Sequence, residues 1–299
     1  MATQLTHLPE VERLSPACIR ILGGNPGKFT LQGTNTYLVG TGPQRLLIDT
    51  GEGKPSWIAA LKRVLEQEKA SISAAIITHW HHDHTGGIPQ LAAACGLGTT
   101  PILVHKHQPD AGQLEIRDGQ RFLVEGASLT AVHTPGHTTD HVVLLFEEED
   151  AMFTGDNVLG HGTAVFEDLA AYTASLEKMG RLFGGRAYPG HGPVVQDGPA
   201  KVAEYIRHRQ QREEQVVQRL RSRNDDPGAS ATVQGDGAGN AWTVMQLVRS
   251  IYSDVPESLH PAAAGGVVQI LRKLEKEGKV TVSDDGERWR LVPSSRSAL

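Results

Sequence analysis

Residues 78–87 read THWHHDHTGG and follow directly on Ala74–Thr78, a β-rich run that predicts a strand. Four candidate ligands therefore leave the end of one strand together: His79, His81, Asp83 and His84. Imidazole and carboxylate groups suit zinc or another borderline first-row transition metal. Gly86 and Gly87 then allow a tight turn into a helix, so the segment predicts a metal site at the edge of a sheet.

Three further candidate ligands follow in glycine-containing segments at predicted strand ends or loops. They are His137 in HTPGHTTDH, Asp156 in FTGD and His191 in YPGHG. Any one histidine alone is more often an ordinary polar residue, but that reading does not explain seven candidates in such positions. A closed structural metal site is the other alternative, and it commonly uses four ligands that include thiolates. Seven ligands without a thiolate fit two metal ions that share one carboxylate.

Composition limits the classes of protein to which the chain can belong. Its 299 residues are 39% hydrophobic and 21% charged, enough to bury one large core and a smaller second module. The net charge of −5 excludes a uniformly basic nucleic-acid binder. That charge is uneven, because residues 1–200 carry a net −7 and residues 201–299 a net +2. An anionic partner is therefore still compatible with the C-terminal side.

Cysteine content and the N-terminal sequence predict the compartment. The two cysteines, Cys18 and Cys95, exclude a disulfide framework and a four-thiolate zinc site, and they favour a reducing environment. Residues 1–12 lack the basic start and apolar block of a secretory signal. Apolar runs such as Val142–Phe146 are too short to span a bilayer. We therefore expect a soluble cytoplasmic protein without a membrane partner.

Periodicity predicts an α/β domain in which helices cover two sheets. The predicted strands are Cys18–Leu22, Asn35–Val39, Arg45–Ile48, Ala74–Thr78, Ile102–His105, Arg121–Val124, Leu129–His133, His141–Phe146 and Ala151–Thr154. The predicted helices are Pro55–Lys69, Leu169–Phe183 and Pro199–Arg223. The last of these is expected to end a catalytic domain that comprises residues 1–223.

A second, smaller domain is predicted at residues 241–299, after a linker at 224–240 that is rich in Gly, Asp and Ala. Its predicted elements are the helices Trp242–Tyr252 and Gly265–Gly278 and the strands Lys279–Ser283 and Arg288–Val292. An Asp-Gly turn signal joins the two strands. Helices followed by a hairpin predict a winged-helix-like module, which either binds nucleic acid or packs over the active-site cleft. We favour packing, because the module is rich in apolar residues.

The segment 79–84 matches the HxHxDH motif and therefore resembles the metallo-β-lactamase superfamily. The resemblance implies an αββα sandwich over about residues 15–215. It also implies that His79, His81 and His137 hold one metal, that Asp83, His84 and His191 hold the other, and that Asp156 bridges them. True β-lactamases usually lack the bridging aspartate, so the resemblance points instead to hydrolases of thioesters and phosphodiesters.

The predicted centre implies a hydrolytic mechanism. Two adjacent divalent cations, Zn²⁺ or an alternative such as Mn²⁺, lower the pKa of water and polarise the substrate oxygen. Asp83 is predicted to be catalytic as well as a ligand, because it can steer the proton. His82 lies between ligands without a ligand position of its own, and we interpret it as supporting a neighbouring ligand.

Other polar residues near the motifs have two interpretations each. Asp140 either orients a ligand imidazole or caps a loop. Asn157 and His161 follow Asp156 closely enough to line a substrate pocket. The 33–36 segment either approaches the site or forms an ordinary turn. The glycine-rich 23–27 segment does not fit a phosphate-binding loop, and we interpret it as a plain turn.

Longer segments resemble one branch of the superfamily, the lactamase-like, beta 2-like proteins. They include ILGGNPGKFTLQGTNTYLVG at 21–40 and GDNVLGHGTAVFEDL at 155–169, together with the C-terminal module. This branch implies single-strand-selective endoribonucleases or fungal polyketide thioesterases. Two further segments resemble the thioesterases, such as the atrochrysone carboxyl carrier-protein thioesterases: DTGEGKPSW at 49–57 and EYIRHRQQRE at 204–213. We therefore predict a thioesterase whose partner is the acyl carrier protein domain of a polyketide synthase.

Composition also bears on the choice of substrate. RNA cleavage favours a basic groove with stacking aromatics, whereas aromatics are only 5% of this chain and its metal domain is acidic. An endoribonuclease acting on single-stranded RNA is the alternative, and a non-catalytic nucleic-acid-binding protein is the third class. The complete ligand set argues against the third. A run of arginines serves either partner or is a solvated helix face: Arg207, Arg209, Arg212, Arg219, Arg221 and Arg223.

Overall fold

The structure is a computed structural model that describes residues 5–95, 102–224, 241–253 and 256–292. It divides into an N-terminal unit, residues 1–205, and a C-terminal unit, residues 206–299. The division falls inside a long helix rather than at residue 223. The linker predicted at 224–240 lies outside the described residues except for Asn224. The predicted domain bounds therefore stay a prediction.

In the described part of the N-terminal unit, seven strands form one sheet in chain order. They are β1 (Val11–Ser15), β2 (Cys18–Leu22), β3 (Asn35–Val39), β4 (Gln44–Ile48), β5 (Ser71–Ile77), β6 (Leu103–Lys106) and β7 (Leu114–Glu115). The strands β1 to β4 pair antiparallel and β4 to β7 pair parallel. The parallel half brings the carboxyl ends of β4 and β5 to one edge.

The same described residues form a second sheet of five strands, in the order β12-β11-β10-β9-β8. Its strands are β8 (Arg121–Val124), β9 (Ala127–His133), β10 (Val142–Phe146), β11 (Ala151–Gly155) and β12 (Ala187–Pro189). All neighbours are antiparallel except β11 and β12, which are parallel. The carboxyl ends of β11 and β12 therefore also share an edge.

The main core lies between the two sheets, and strand alternation explains it. Tyr37 and Val39 of β3 belong to the core cluster that contains side chains of both sheets, whereas Leu38 belongs to a second cluster. In β4, Ile48 and Leu47 divide in the same way. The strands β3 and β4 are thus apolar on both faces, as expected of strands covered on both sides.

The helices of the N-terminal unit are α1 (Pro55–Glu68), α2 (His82–Thr85), α3 (Ile88–Cys95), α4 (Leu169–Met179) and the start of α5 (Gly198–Arg221). Pro55 begins α1, since its missing N–H costs nothing at the first helical position. Trp57, Leu61 and Val64 share a buried cluster with the outer face of the first sheet. The Trp57 indole N–H also donates to Thr36 Oγ1 at 2.9 Å.

Helix α4 is attached to the segments that follow β9 and β11. Its cap is Asp168, whose carboxylate accepts the N–H groups of the first turn. Tyr172 donates to the Asn157 carbonyl at 2.6 Å, and Ser175 donates to the Pro135 carbonyl at 2.7 Å. The helix therefore fixes two loops that carry candidate ligands.

The C-terminal unit contains, among the described residues, α6 (Val244–Ile251), α7 (His260–Lys276) and a three-stranded sheet in the order β13-β15-β14. The strands are β13 (Trp242–Thr243), β14 (Val280–Val282) and β15 (Arg288–Leu291). Thr243 and Gln246 form a capping box that begins α6. Leu247, Leu271 and Trp289 are buried, and the arrangement is a winged helix.

Several predicted elements are corrected. The helix predicted to reach Phe183 ends at Met179, because its last turn tightens at Gly180. The helix predicted from Gly265 begins at His260, since the Gly265 position lies in open space inside α7 and does not break it. The strands β1, β7, β12 and β13 were not predicted, and the last three are too short for a periodic signal. The helix predicted from Trp242 begins at Val244, because Trp242 and Thr243 form β13.

None of the helices in the described part of the chain combines the length and the apolar composition that spanning a bilayer needs. The predicted cytoplasmic location stays a prediction.

Candidate metal centre

The predicted ligands meet at the edge where the strands of both sheets end. His79 and His81 follow β5, Asp156 follows β11 and His191 follows β12. His137 lies in the loop between β9 and β10. Open α/β sheets place their ligand sites in this position, because the irregular backbone beyond strand ends lets side chains converge.

The seven residues form two groups, and the metal-binding atoms within each group lie within 4.8 Å of one another. The tris-histidine group consists of His79, His81 and His137 with Asp156, and the Asp83 group consists of Asp83, His84 and His191. In the first group, His81 Nδ1 lies 3.0 Å from His79 Nε2 and 3.1 Å from His137 Nε2. The two Nε2 atoms are 3.3 Å apart.

This geometry fits a metal ion. His137 Nδ1 lies 2.8 Å from the Val165 carbonyl, which only accepts, so Nδ1 carries the proton and Nε2 presents its lone pair. The three ring nitrogens lie 3.0–3.3 Å apart, close to the roughly 3.3–3.4 Å that tetrahedral coordination at about 2.0–2.1 Å produces. Lone pairs facing one another at this distance repel unless a cation lies between them.

Asp156 lies between the two groups. Its Oδ1 is 3.3 Å from His191 Nε2 and 3.5 Å from His84 Nε2, while its Oδ2 is 3.7 Å from His137 Nε2. The Oδ1 atom is buried, and none of the hydrogen bonds in the described structure satisfies it. A buried carboxylate oxygen without a hydrogen bond requires another partner, which a cation supplies.

The two groups differ in electrostatics. Burial, together with neighbouring imidazoles, lowers the pKa of His79 well below its ordinary value, and it also lowers that of His81. In the Asp83 group burial alone would lower the histidine pKa values, but carboxylates outweigh it. Asp49 and Asp156 raise the pKa of His84, and Asp156 raises that of His191 to about 9. Metal binding at the Asp83 group must therefore expel protons near neutral pH.

Asp83 itself stays ionised. Burial raises its pKa, but the charge on His84 and a hydrogen bond from His191 more than offset this, and the pKa lies well below the ordinary range. Its Oδ2 lies 3.2 Å from His191 Nε2 and accepts a 3.0 Å hydrogen bond from Thr34 Oγ1. Asp83 is therefore held as an acceptor at the edge of the site.

Asp49 organises the site and was missed by the sequence analysis. Its Oδ2 lies 2.7 Å from His84 Nδ1 and accepts from Thr78 Oγ1 at 2.9 Å, and its Oδ1 accepts the Thr78 N–H at 2.8 Å. Thr78 Oγ1 also lies 3.0 Å from His79 Nδ1, so one carboxylate orients ligands of both groups. The available signal was a carboxylate directly after the apolar end of a strand, the same signal that identified Asp156.

The segment at 33–36 approaches the site, which confirms the first of its two interpretations. Besides its bond to Asp83, Thr34 pairs with His191 through the backbone. Asn25 holds Thr34 by two hydrogen bonds, at 2.9 and 3.0 Å. The interpretation of residues 23–27 as a plain turn is therefore wrong, because Asn25 supports a residue that contacts the Asp83 group.

Two predicted supporting residues do not contact a ligand side chain. His82 is exposed on α2, and none of the described hydrogen bonds involves its ring. Asp140 is buried, but it accepts from Thr138 Oγ1 at 2.7 Å and lies 3.1 Å from the Lys106 ammonium. Of its two interpretations, the loop-fixing one is the one observed.

His141 and Asn157 instead fix the loops that carry ligands. His141 Nε2 accepts the Asp156 N–H at 3.1 Å, so it orients that backbone. Asn157 is fully buried and donates to the Thr134 carbonyl at 2.9 Å, which excludes it from a substrate pocket. His161 is half-buried beside Gly192.

Exposed apolar side chains border the site, and we call them the apolar rim. Trp80 is 50% exposed, and its ring centroid lies 4.5 Å from that of His81. Val165, whose carbonyl accepts from His137, is 60% exposed. Phe29 is 73% exposed in the loop that leads to Thr34. Exposed large apolar side chains that group beside a polar site mark a binding surface.

Comparison with known families agrees with this geometry. The profile of the Metallo-beta-lactamase superfamily matches residues 29–191, and that of the Beta-lactamase associated winged helix domain matches residues 243–289. The first match covers more than half of the chain and includes all seven predicted ligands. A fold that gathers this donor set defines a metal-dependent hydrolase, as predicted. The chain belongs to the metallo-β-lactamase superfamily.

Within that superfamily, its relatives include fungal proteins similar over nearly the whole chain. The lactamase-like protein adaB of Aspergillus niger is 49% identical over 99% of this chain and 92% of its own length. An Atrochrysone carboxyl ACP thioesterase of Aspergillus chevalieri is 47% identical over 97% of this chain and 92% of its own. A metallo-beta-lactamase family protein of Thermus thermophilus shares the fold, with 20% identity, a TM-score of 0.69, and coverage of 94% of this chain and 100% of its own.

Proposed function

We propose that the protein is a dinuclear metal-dependent thioesterase that hydrolyses a polyketide from an acyl carrier protein in fungal secondary metabolism. The observation that carries the proposal is the apolar rim beside the two donor groups, because an acyl chain needs an apolar surface next to the reacting carbonyl. The Atrochrysone carboxyl ACP thioesterase among the relatives supports the same substrate class.

The proposed metals are two Zn²⁺ ions, with Mn²⁺ as the alternative. His79, His81 and His137 would hold one, Asp83, His84 and His191 the other, and Asp156, whose oxygens lie near both groups, would bridge them. Bound divalent cations supply a water of lowered pKa and stabilise charge on the substrate oxygen.

Residues of the chain itself transfer the proton of the reaction and hold the group that carries it. Water adds to the thioester carbonyl carbon, the carbon–sulfur bond breaks, and one proton of the water is transferred to the leaving sulfur. Asp83 is the proposed carrier of this proton, because it is ionised and partly exposed. Thr34 fixes Asp83 Oδ2 by its hydrogen bond, so Asp83 is directed by a loop that the apolar rim also shares.

The test compares substrates on the purified full-length protein. We expect hydrolysis of an acyl-loaded carrier protein that a chelator abolishes and zinc restores. We expect His81→Ala to lose metal and at least about a hundredfold in kcat. The matched control is His82→Ala, which removes an adjacent exposed imidazole that is not a ligand and is expected to retain activity. Chelator-sensitive cleavage of single-stranded RNA without thioester turnover would reverse the assignment.

A second experiment tests the apolar rim itself. Trp80→Ala is expected to lower kcat/KM for a long acyl thioester by on the order of tenfold relative to an acetyl thioester, because it removes apolar contact surface. Leu123→Ala, which removes a 62% exposed side chain from β8, is the control. An equal effect of Trp80→Ala on both thioesters would contradict a role in acyl binding.

The C-terminal unit does not favour RNA as the substrate. A winged helix that reads nucleic acid presents the first residues of its second main helix to the groove. In α7 that stretch, residues 260–271, reads HPAAAGGVVQIL and contains no Lys or Arg. The endoribonuclease and the non-catalytic nucleic-acid binder are therefore kept only as outcomes of the test.

A further inference from the structure

The C-terminal unit contains a pocket of about 550 Å³ that is lined by the end of α5 and by α6. Eight of the described residues line it: Arg219, Ser222, Arg223, Asn224, Trp242, Gln246, Arg249 and Ser250. We call it the arginine pocket. A second, polar cavity of about 430 Å³ shares Arg219 and Ser250 with it, so the two are adjacent. None of the described residues that line either cavity is acidic.

Two arginines of this pocket, Arg219 and Arg249, differ from the paired lysines of the unit. Lys273 lies 2.7 Å from both Glu213 and Glu277, and Lys279 lies 2.8 Å from Glu277. Arg219 and Arg249 are exposed, and neither takes part in an ion pair within the described part of the chain. Positive charge without a protein partner is thus concentrated at a concavity.

The pocket is also held in shape by its own hydrogen bonds. Asn224 is buried and donates to the Ala241 carbonyl at 2.8 Å and to Gln246 Oε1 at 3.1 Å. The same Gln246 oxygen accepts the Thr243 N–H in the capping box of α6. These hydrogen bonds connect the lining residues Asn224 and Gln246 to each other and to the start of α6, and guanidinium groups with planar pairs of donors belong to the same lining.

We propose that the arginine pocket binds the carboxylates of an acidic partner protein, and, resting on the proposed function, that this partner is the carrier protein. Guanidinium groups bind carboxylate oxygens in bidentate pairs, and none of the described lining residues carries a negative charge that would repel such a ligand. The pocket favours protein over RNA because Trp242, its one aromatic residue among those described, is only 7% exposed and offers no stacking face.

The test is a comparison of two thioesters with the same acyl group, one on the carrier protein and one on a small soluble thiol. The double variant Arg219→Ala/Arg249→Ala is expected to lower the ratio of kcat/KM for the carrier-bound over the small thioester by roughly tenfold, mainly through KM. Each single variant should account for roughly two- to fivefold. Raising the salt concentration should reduce the wild-type ratio and affect the double variant less.

The matched control is Arg221→Ala, which removes an exposed arginine of the same helix that does not line the pocket. An unchanged ratio in the double variant, or an equal loss in Arg221→Ala, would overturn the proposal while thioester hydrolysis itself stood. Hydrolysis of neither thioester by the wild type would instead refute the proposed function. Binding of single-stranded RNA that the double variant abolishes would assign the pocket to nucleic acid.

Discussion

Replacing Asp49 by Asn should weaken the Asp83 group with little change in backbone geometry. Asp49 has a left-handed φ of +59°, which Asn tolerates as well as Asp. The Thr78 N–H requires an acceptor, so the new amide oxygen takes the place of Oδ1 and the NH₂ group the place of Oδ2. Thr78 Oγ1 can accept from that NH₂, and so can His84 Nδ1 if it is unprotonated.

The consequence is a change of tautomer at His84. In the wild type, Nδ1 donates to Asp49 and leaves Nε2 for a metal, whereas in the variant Nδ1 accepts and the proton moves to Nε2. Restoring the metal-binding tautomer breaks a buried hydrogen bond, at a cost of about 1.5–3 kcal/mol. That cost corresponds to a roughly ten- to hundredfold loss of metal affinity at the Asp83 group. The total number of hydrogen bonds is retained, so stability should fall less.

The assay is chelator competition with elemental analysis of the protein at each step, alongside thermal unfolding. Asp49→Asn should lose the metal of the Asp83 group first and keep that of the tris-histidine group longer. Asp140→Asn is the control, because Asp140 is equally buried but faces Lys106, so it should lower the melting temperature and leave metal affinity unchanged. Wild-type metal affinity in Asp49→Asn would refute the tautomer argument.

Three further outcomes are expected. Asp156→Ala should lose more metal by elemental analysis than Asp83→Asn, because Asp156 lies beside both groups. Asp83→Asn should lose part of the metal of the Asp83 group and roughly a hundredfold in kcat, and full turnover with both metals bound would end its catalytic role. Since the pKa of His191 is raised to about 9, its proton is bound at pH 7.5, and calorimetry in buffers of different ionisation enthalpy should show proton release when metal binds. The metal affinity of the Asp83 group should fall as pH is lowered from 9, whereas that of the tris-histidine group should depend little on pH in this range. Gly136→Ala should lower the free energy of unfolding by roughly 3 kcal/mol, because φ is +131° and a Cβ would lie 2.3 Å from the backbone of α4. The control Gly119→Ala, at φ +80° in open space, should lower it by only about 1 kcal/mol, and equal denaturation midpoints of the two variants would contradict this.

Strands that are buried along their whole length were predictable. Cys18–Leu22 and Asn35–Val39 were predicted with the observed bounds, since a buried strand needs little beyond β-branched and apolar residues. The first residues of α7 were not, because Gly265 and Gly266 weakened the helical pattern. Their effect is overcome by the buried Val267, Ile270 and Leu271, whose packing the sequence alone does not show.

The identity of the seven candidate ligands, the superfamily and the order of the elements follow from the sequence itself, because His, Asp and Gly at strand ends form a local pattern. Tertiary structure decided which residues support them. Asp49 is 35 positions from His84 and Asn25 nine from Thr34, and only sheet pairing brings them into contact. The same holds for Asp140, whose partner Lys106 comes from the other sheet. A hydrogen bond depends on distance and direction in space, and a sequence specifies these only after the chain has folded.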